Sequence, residues 1–262
     1  MPLLQGIEEF QGVSEEIQWA MFIVACLIAV VAAISVGISI WLFVRYLTFN
    51  RRVNSRNLSG KDAARRILDK HGLQHIKVSV VGSMLFGNSY SHYFKKVRLR
   101  RLTTNKNSIT SLAMGAEKSA LAVLDKEGDK DMRARVALTP LMYFGPLAFL
   151  PILAIGILID LIFFNFNGVA TTIAAFLGLA IYSVSFVLSI LTLKTEKKAQ
   201  ERACQILKQE DMATDEEIGM MKELFQLYNI QYINDIIMEL LQLIMRALQL
   251  VAKMQQKSGS ND

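Results

Sequence analysis

The run from Gln18 to Val44 contains no charged residue, and no other feature restricts the chain's folding options as strongly. At about 1.5 Å of rise per residue, a helix of this length exceeds the roughly 30 Å hydrocarbon core of a bilayer and spans it with some tilt. Trp19 and Trp41 stand near its ends, where interfacial aromatics are favoured. A secretory signal is excluded, because such a segment has a basic start and a short apolar core. Here residues 1–17 carry Glu8, Glu9, Glu15 and Glu16 and no Lys or Arg. Two more apolar blocks follow, Val136–Ile159 ending at Asp160 and Gly168–Leu193 ending at Lys194. Asn165, Asn167 and Gly168 suit a tight turn between them, so the two blocks read as a helical hairpin. The mean hydropathy of +0.32 reflects these blocks rather than an even spread of apolar residues.

Charge sets the orientation. Arg45, Arg51, Arg52 and Arg56 follow the first block, Arg133 and Arg135 precede the second, and Lys194, Lys197 and Lys198 follow the third. The positive-inside bias places all three clusters in one compartment if the N-terminus is outside. The fold class is therefore a mainly α integral membrane protein: three transmembrane helices, a small cytoplasmic α+β domain and a helical C-terminal tail. In residue terms, 1–17 form an extracytoplasmic tail, 18–44 the first span and 45–135 a basic cytoplasmic domain. Residues 136–160 and 168–193 are the second and third spans, 194–256 a cytoplasmic helical tail, and 257–262 a disordered end. The net charge of +6 follows from this topology, and no nucleic-acid partner is expected. The partners expected are the lipid bilayer and another membrane protein or a second copy of the chain. Cys26 in an apolar block and Cys204 in a polar tail form no disulfide framework.

Inside the basic domain, residues 59–71 read as an amphipathic helix capped by Ser59, with Ala63, Ala64, Ile67 and Leu68 on one face and a stop at His71-Gly72. Ile76–Val81 and Lys95–Arg100 alternate and are expected to pair as a hairpin, with turns at Gly82 and Gly87-Asn88. Residues 108–126 form a second helix capped by Ser108. Beyond the third span, Glu196–Leu207 reads as helical. From Asp215 to about Met254 one long stripe includes Ile218, Met221, Phe225, Tyr232, Leu240 and Leu248.

These pieces, in this order, resemble the membrane neutral zinc metallopeptidase (YugP-like) family. The run Ser59–Leu73 resembles the family's Thr-Gly-x-x-x-Ala-Arg-x-Leu-Leu-x-x-x-Gly-Leu helix. Val97-Arg98-Leu99 resembles its Val-Arg-Leu strand, and Ser108-Ile109 the start of its Ser-Ile-Ala-Ala helix. Glu196, Ala199, Arg202 and Ala203 resemble its Glu-x-x-Ala-x-x-Arg-Ala run. The resemblance implies a multi-pass protein of the bacterial plasma (inner) membrane.

It also implies a His-Glu-x-x-His motif on the 108–126 helix. Two histidines one turn apart would bind zinc there, and the glutamate would serve as general base. Counted from Ser108, these positions fall on Glu117, Lys118 and Leu121. Leu cannot ligate, and a cation replaces the base. The three histidines of the chain, His71, His75 and His92, lie elsewhere. No cofactor is expected, and the leading reading is a catalytically inactive relative acting as a binding or regulatory subunit. One alternative is an active peptidase whose zinc is held by a rearranged set, His92, Glu117 and Glu196. Another is a TolQ/ExbB-like channel or stator subunit, which the proline- and threonine-bearing hairpin suggests and the lack of a charge deep in any block opposes. A buried Lys118 needs an acidic neighbour, and Glu196 is the expected partner. Glu117 should serve less well, because adjacent residues diverge by about 100° on a helix.

Overall fold

The structure, a computed structural model, describes residues 13–81, 87–164 and 168–259, with the backbone alone for 140–149 and 257–259. The expected turn at Gly82, the link residues Asn165 and Asn167, and most of the N-terminal tail lie outside the described residues. The elements in chain order are α1 (Glu15–Arg51), α2 (Gly60–Lys70), β1 (Lys77–Val81), β2 (Ser89–Ser91), β3 (Lys96–Arg100), α3 (Arg101–Thr104), α4 (Ile109–Glu127), α5 (Lys130–Phe163), α6 (Val169–Gln209) and α7 (Asp215–Gly259). They divide into two compact units. One comprises Val36–Leu138 and Ile190–Ile233; the other comprises the chain up to Ser35, Thr139–Ser189 and the chain from Asn234.

The first unit is built around α4. Its residues from Ile109 to Leu124 are all buried, so this helix is enclosed on every side. Ser108 caps it by accepting from the Ser111 amide, and Gly128, at φ 72°, ends it in the left-handed conformation that glycine adopts without steric cost. Helix α2 is capped in the same way by Ser59, which accepts from the Asp62 amide. It buries Ala63, Ala64, Ile67 and Leu68, as its spacing predicts. The two helices meet through glycine. A Cβ on Gly115 would lie 2.3 Å from the Gly60 carbonyl oxygen, so the backbones touch where no side chain fits. The central strand β3 lays Val97 and Leu99, both fully buried, into the same core.

Four elements depart from the sequence reading. β1 and β3 do not form a hairpin: they pair in parallel, Val78 opposite Val97 and Val80 opposite Leu99. The hairpin joins β3 to β2, a three-residue strand too short and polar to carry a period-2 signal. The third apolar block and the expected tail helix are one uninterrupted helix, α6, because no Gly or Pro breaks the chain between Leu193 and Glu196. The 194–256 tail is divided, with residues up to Ile233 in the α4 unit and Asn234 onward among the apolar helices. Finally, α7 continues to Gly259 rather than ending at residue 256.

Among the described residues, two helices are long and apolar enough to cross a membrane, Glu15–Arg51 and Val169–Gln209; the apolar stretch found in α5 is the shorter Leu150–Phe163. The start of α6 is tied to α5 by Asp160. Its buried carboxylate accepts from the amides of Ala170 and Thr171 at 3.0 and 2.7 Å and from the Thr171 hydroxyl at 2.5 Å. It thus satisfies donors that a helix N-terminus leaves open. Close α5–α6 packing follows from Gly156, where an added Cβ would stand 2.5 Å from the Ala174 Cβ.

Candidate functional site

Halfway along α4 the buried face carries Glu117 and Lys118, 3% and 5% exposed. Across from them α6 presents Glu196, also 3% exposed. The Lys118 Nζ stands 2.7 Å from Glu196 Oε2 and 3.0 Å from Glu117 Oε2, so one ammonium bridges two carboxylates. Glu196 is the nearer partner and takes the hydrogen bond, while Glu117 joins as a second, slightly longer ion pair. A long lysine stem can reach an adjacent carboxylate despite the divergence of neighbouring Cβ directions. Glu196 also takes the Arg135 guanidinium, which donates to its Oε1 at 2.9 Å and to the Thr195 hydroxyl at 2.7 Å. Glu117 Oε1 accepts from the Gln200 amide at 2.8 Å, and Gln200 accepts in turn from Asn229 at 2.8 Å. The cluster therefore holds two anions and two cations, and its carboxylate oxygens are already engaged by donors.

Burial and charge act differently on the two carboxyls. For Glu117 burial is the larger effect, and it pushes the carboxyl above its ordinary range despite the Lys118 charge. Burial also opposes ionisation of Glu196, but Lys118 and Arg135 together outweigh it and hold this group below its ordinary value. Lys118 itself is pushed up: burial favours loss of its proton, and the two carboxylates more than offset that. Beside the cluster lies a cavity of about 210 Å³, lined in part by Glu117, Lys118, Met114, Tyr46, Tyr228 and Tyr232. Desolvation pushes the Tyr232 phenol up to about 12, so it remains a neutral donor at physiological pH.

The remaining positions do not join the cluster. Leu121 is an apolar core residue, 1% exposed. His92 is bound at the far end of α4, where its Nδ1 lies 2.6 Å from Asp125 Oδ2, an oxygen that also accepts from the Tyr90 hydroxyl at 2.6 Å. Among the described residues no three His, Cys, Asp or Glu side chains group to hold a metal ion. Arg135, Gln200 and Asn229 escaped the sequence reading. Arg135 was used there only as a topological marker. Gln200 follows Glu196 by one helical turn, so the periodicity of α6 puts both on one face and could have revealed it.

A family model described as "Putative neutral zinc metallopeptidase" matches residues 22–251 of the chain. The chain belongs to this family. Neither a curated protein nor a solved structure matches it. The donor set at Glu117, Lys118 and Leu121, where the resemblance would put the motif, does not suit zinc. An ammonium stands between the two carboxylates within 3.0 Å of each, where a metal ion would have to sit. Arg135 and Gln200 occupy further carboxylate lone pairs. Leu121, the third of these positions, offers only methyl groups.

Proposed function

We propose that this family member is a multi-pass membrane protein that has given up hydrolysis, and that it serves as a binding or regulatory subunit on the peptidase scaffold. The observation that carries this reading is the Lys118 ammonium held between Glu117 and Glu196. A zinc peptidase needs open coordination positions and a base beside the bound water. Here a fixed monovalent cation fills the space between the carboxylates, and the base position is the cation itself. The Lys118–Glu196 pair closes the cleft, while the neighbouring tyrosine-lined cavity keeps space for a ligand. Three spanning helices and an inside basic domain remain the topology the charge pattern favours. The rearranged peptidase is less well supported, since His92 is committed to Asp125. The stator reading loses its hairpin evidence in part, because Thr171 and Asp160 are used in capping α6.

Elemental analysis of the full chain, purified in mild detergent, tests the proposal. The wild-type protein should carry no stoichiometric zinc and show no chelator-sensitive proteolysis. The triple variant E117H/K118E/L121H, which restores the family motif, should acquire about one tightly bound zinc per chain. About one zinc in the wild type would overturn the proposal. A folded triple variant that ignores zinc would show that the cleft is not a displaced metal site.

A further inference from the structure

Within the apolar unit, α7 touches α6 and the chain entering α1 at successive levels. The Glu239 carboxylate bonds with the Ser189 hydroxyl, and the Tyr182 hydroxyl donates to Gln242 Oε1 at 3.0 Å. The Arg246 guanidinium lies 4.9 Å over the Tyr182 ring, and the Ser14 amide donates to Gln255 Oε1 at 2.9 Å. Rising along α7 from Glu239 therefore means descending α6 from Ser189, so the two helices are antiparallel. From Gln242 to Gln255 is about 20 Å of helix, as it is from Tyr182 back to Val169. Gln255 thus reaches as far as the first turn of α6, and there it meets Ser14, just ahead of α1.

The surface of this half-helix points the same way. At about 100° per residue, Ile237, Leu240, Ile244 and Val251 share one side, and they are 43%, 38%, 38% and 44% exposed. A helix laid on a water-soluble body turns such residues inward. Here they face out, while Asn234 and Ala252, about a quarter turn away, are buried. The polar residues Glu239, Gln242 and Arg246 lie nearly opposite the apolar face, turned toward Tyr182 and Ser189. Membrane helices direct ionisable groups to the bundle rather than to lipid. The apolar face is the one such a helix would offer to acyl chains.

We infer that Asn234–Gly259 crosses the bilayer as a fourth helix, with Ile237, Leu240, Ile244 and Val251 in contact with acyl chains. Its far end then emerges on the side opposite the loop that follows α1. The inference rests on the membrane reading of the three apolar blocks and revises the expectation that everything after residue 194 lies inside. The test uses the full chain without its own thiols (Cys26→Ala, Cys204→Ala). One variant carries a single cysteine at Ser55→Cys and another a cysteine placed after Asp262. Both are probed with a membrane-impermeant maleimide in sealed vesicles of each orientation. Modification of the two thiols from opposite faces is the expected result, with a protease-cleavable tag after Asp262 as a second readout should the thiol prove unreactive. Modification of both from one face, in a chain that resists carbonate extraction, overturns the fourth crossing and leaves the three-span reading intact. Release of the chain by carbonate overturns both.

Discussion

Replacing Lys118 with methionine keeps the length of the side chain and removes the one charge common to both buried carboxylates. Their oxygens lie within 3.0 Å of one nitrogen, so without it they face each other at no more than about 6 Å. At an effective dielectric of about 20, two unit charges at that separation repel by roughly 3 kcal/mol. Breaking a buried pair by removing one partner typically costs about 3–5 kcal/mol, of which this repulsion would be the larger part. Arg135 still neutralises Glu196, and Glu117, already raised by burial, can take up a proton. K118M should therefore sit near the lower end, about 3 kcal/mol less stable than the wild type. E196Q should be destabilised comparably, because Arg135 loses its anion and Lys118 one of its two. The double variant K118M/E196Q should lose less than the two singles together, with a coupling energy of about 2 kcal/mol or more. Equilibrium unfolding in mild detergent, followed by far-ultraviolet circular dichroism, measures all four proteins. A coupling indistinguishable from zero would refute the reasoning, since it would mean that the ammonium and the Glu196 carboxylate do not depend on each other.

Gly115→Ala forces a Cβ to within 2.3 Å of the Gly60 carbonyl oxygen and should cost about 2–3 kcal/mol in the same unfolding assay, as overpacking against backbone does. Asp160→Ala removes the acceptor for the first amides of α6 and should cost about 1–2 kcal/mol, seen as earlier thermal loss of helix. Glu117→Gln should gain stability relative to the wild type as pH rises. A carboxyl whose folded value is raised favours the folded state below its unfolded value, near 4.5, and that contribution is lost as pH climbs through the folded value. Glu196→Gln should show the opposite trend. Its carboxyl is held low in the folded state, so the wild type's advantage is present above 4.5 and fades as pH falls through the folded value. Stability differences from the wild type, taken across about pH 3 to 8, check both signs.

The parts of the fold that were legible in the sequence are those set by short-range physics. Ser59 and Ser108 announce their helices because a hydroxyl one residue before a helix accepts its open amides. Gly72 announces the end of the first because its φ angle, 66°, suits a residue without a Cβ. The pairing of β1 with β3 was not legible. Parallel and antiparallel partners present the same alternating residues, and the strand that decides the matter, Ser89–Ser91, has no apolar alternation. The crossing proposed for the second half of α7 was hidden for a related reason. Asp235, Glu239, Arg246 and Lys253 lower its hydropathy below that of the other apolar helices, and only contacts with Tyr182, Ser189 and Ser14 reveal which way its faces point. At the site, a charge argument led from Lys118 to Glu196. Arg135 and Gln200 stayed hidden because their roles depend on how the start of α5 and the face of α6 approach α4.

A buried ion cluster is in itself a poor source of stability, because desolvation of each charge offsets most of the attraction. That makes the composition of this one informative. An apolar core at the same place would need Glu117 and Glu196 replaced together, since losing either carboxylate alone would leave Lys118 or Arg135 with a diminished set of partners. On the proposed reading, a scaffold built to hold a dication reaches neutrality in fewer changes by placing cations there. Lys118 occupies the space between the two oxygens, and Arg135 compensates Glu196 from the other side. The cluster then has equal numbers of anionic and cationic groups, and Gln200 and Asn229 extend its hydrogen bonds toward α7. On the proposed reading the charges persist as the nearest neutral solution open to a metallopeptidase scaffold that has given up its metal. Their energetic contribution should then appear in the coupling between Lys118 and Glu196 more than in the stability of the whole chain.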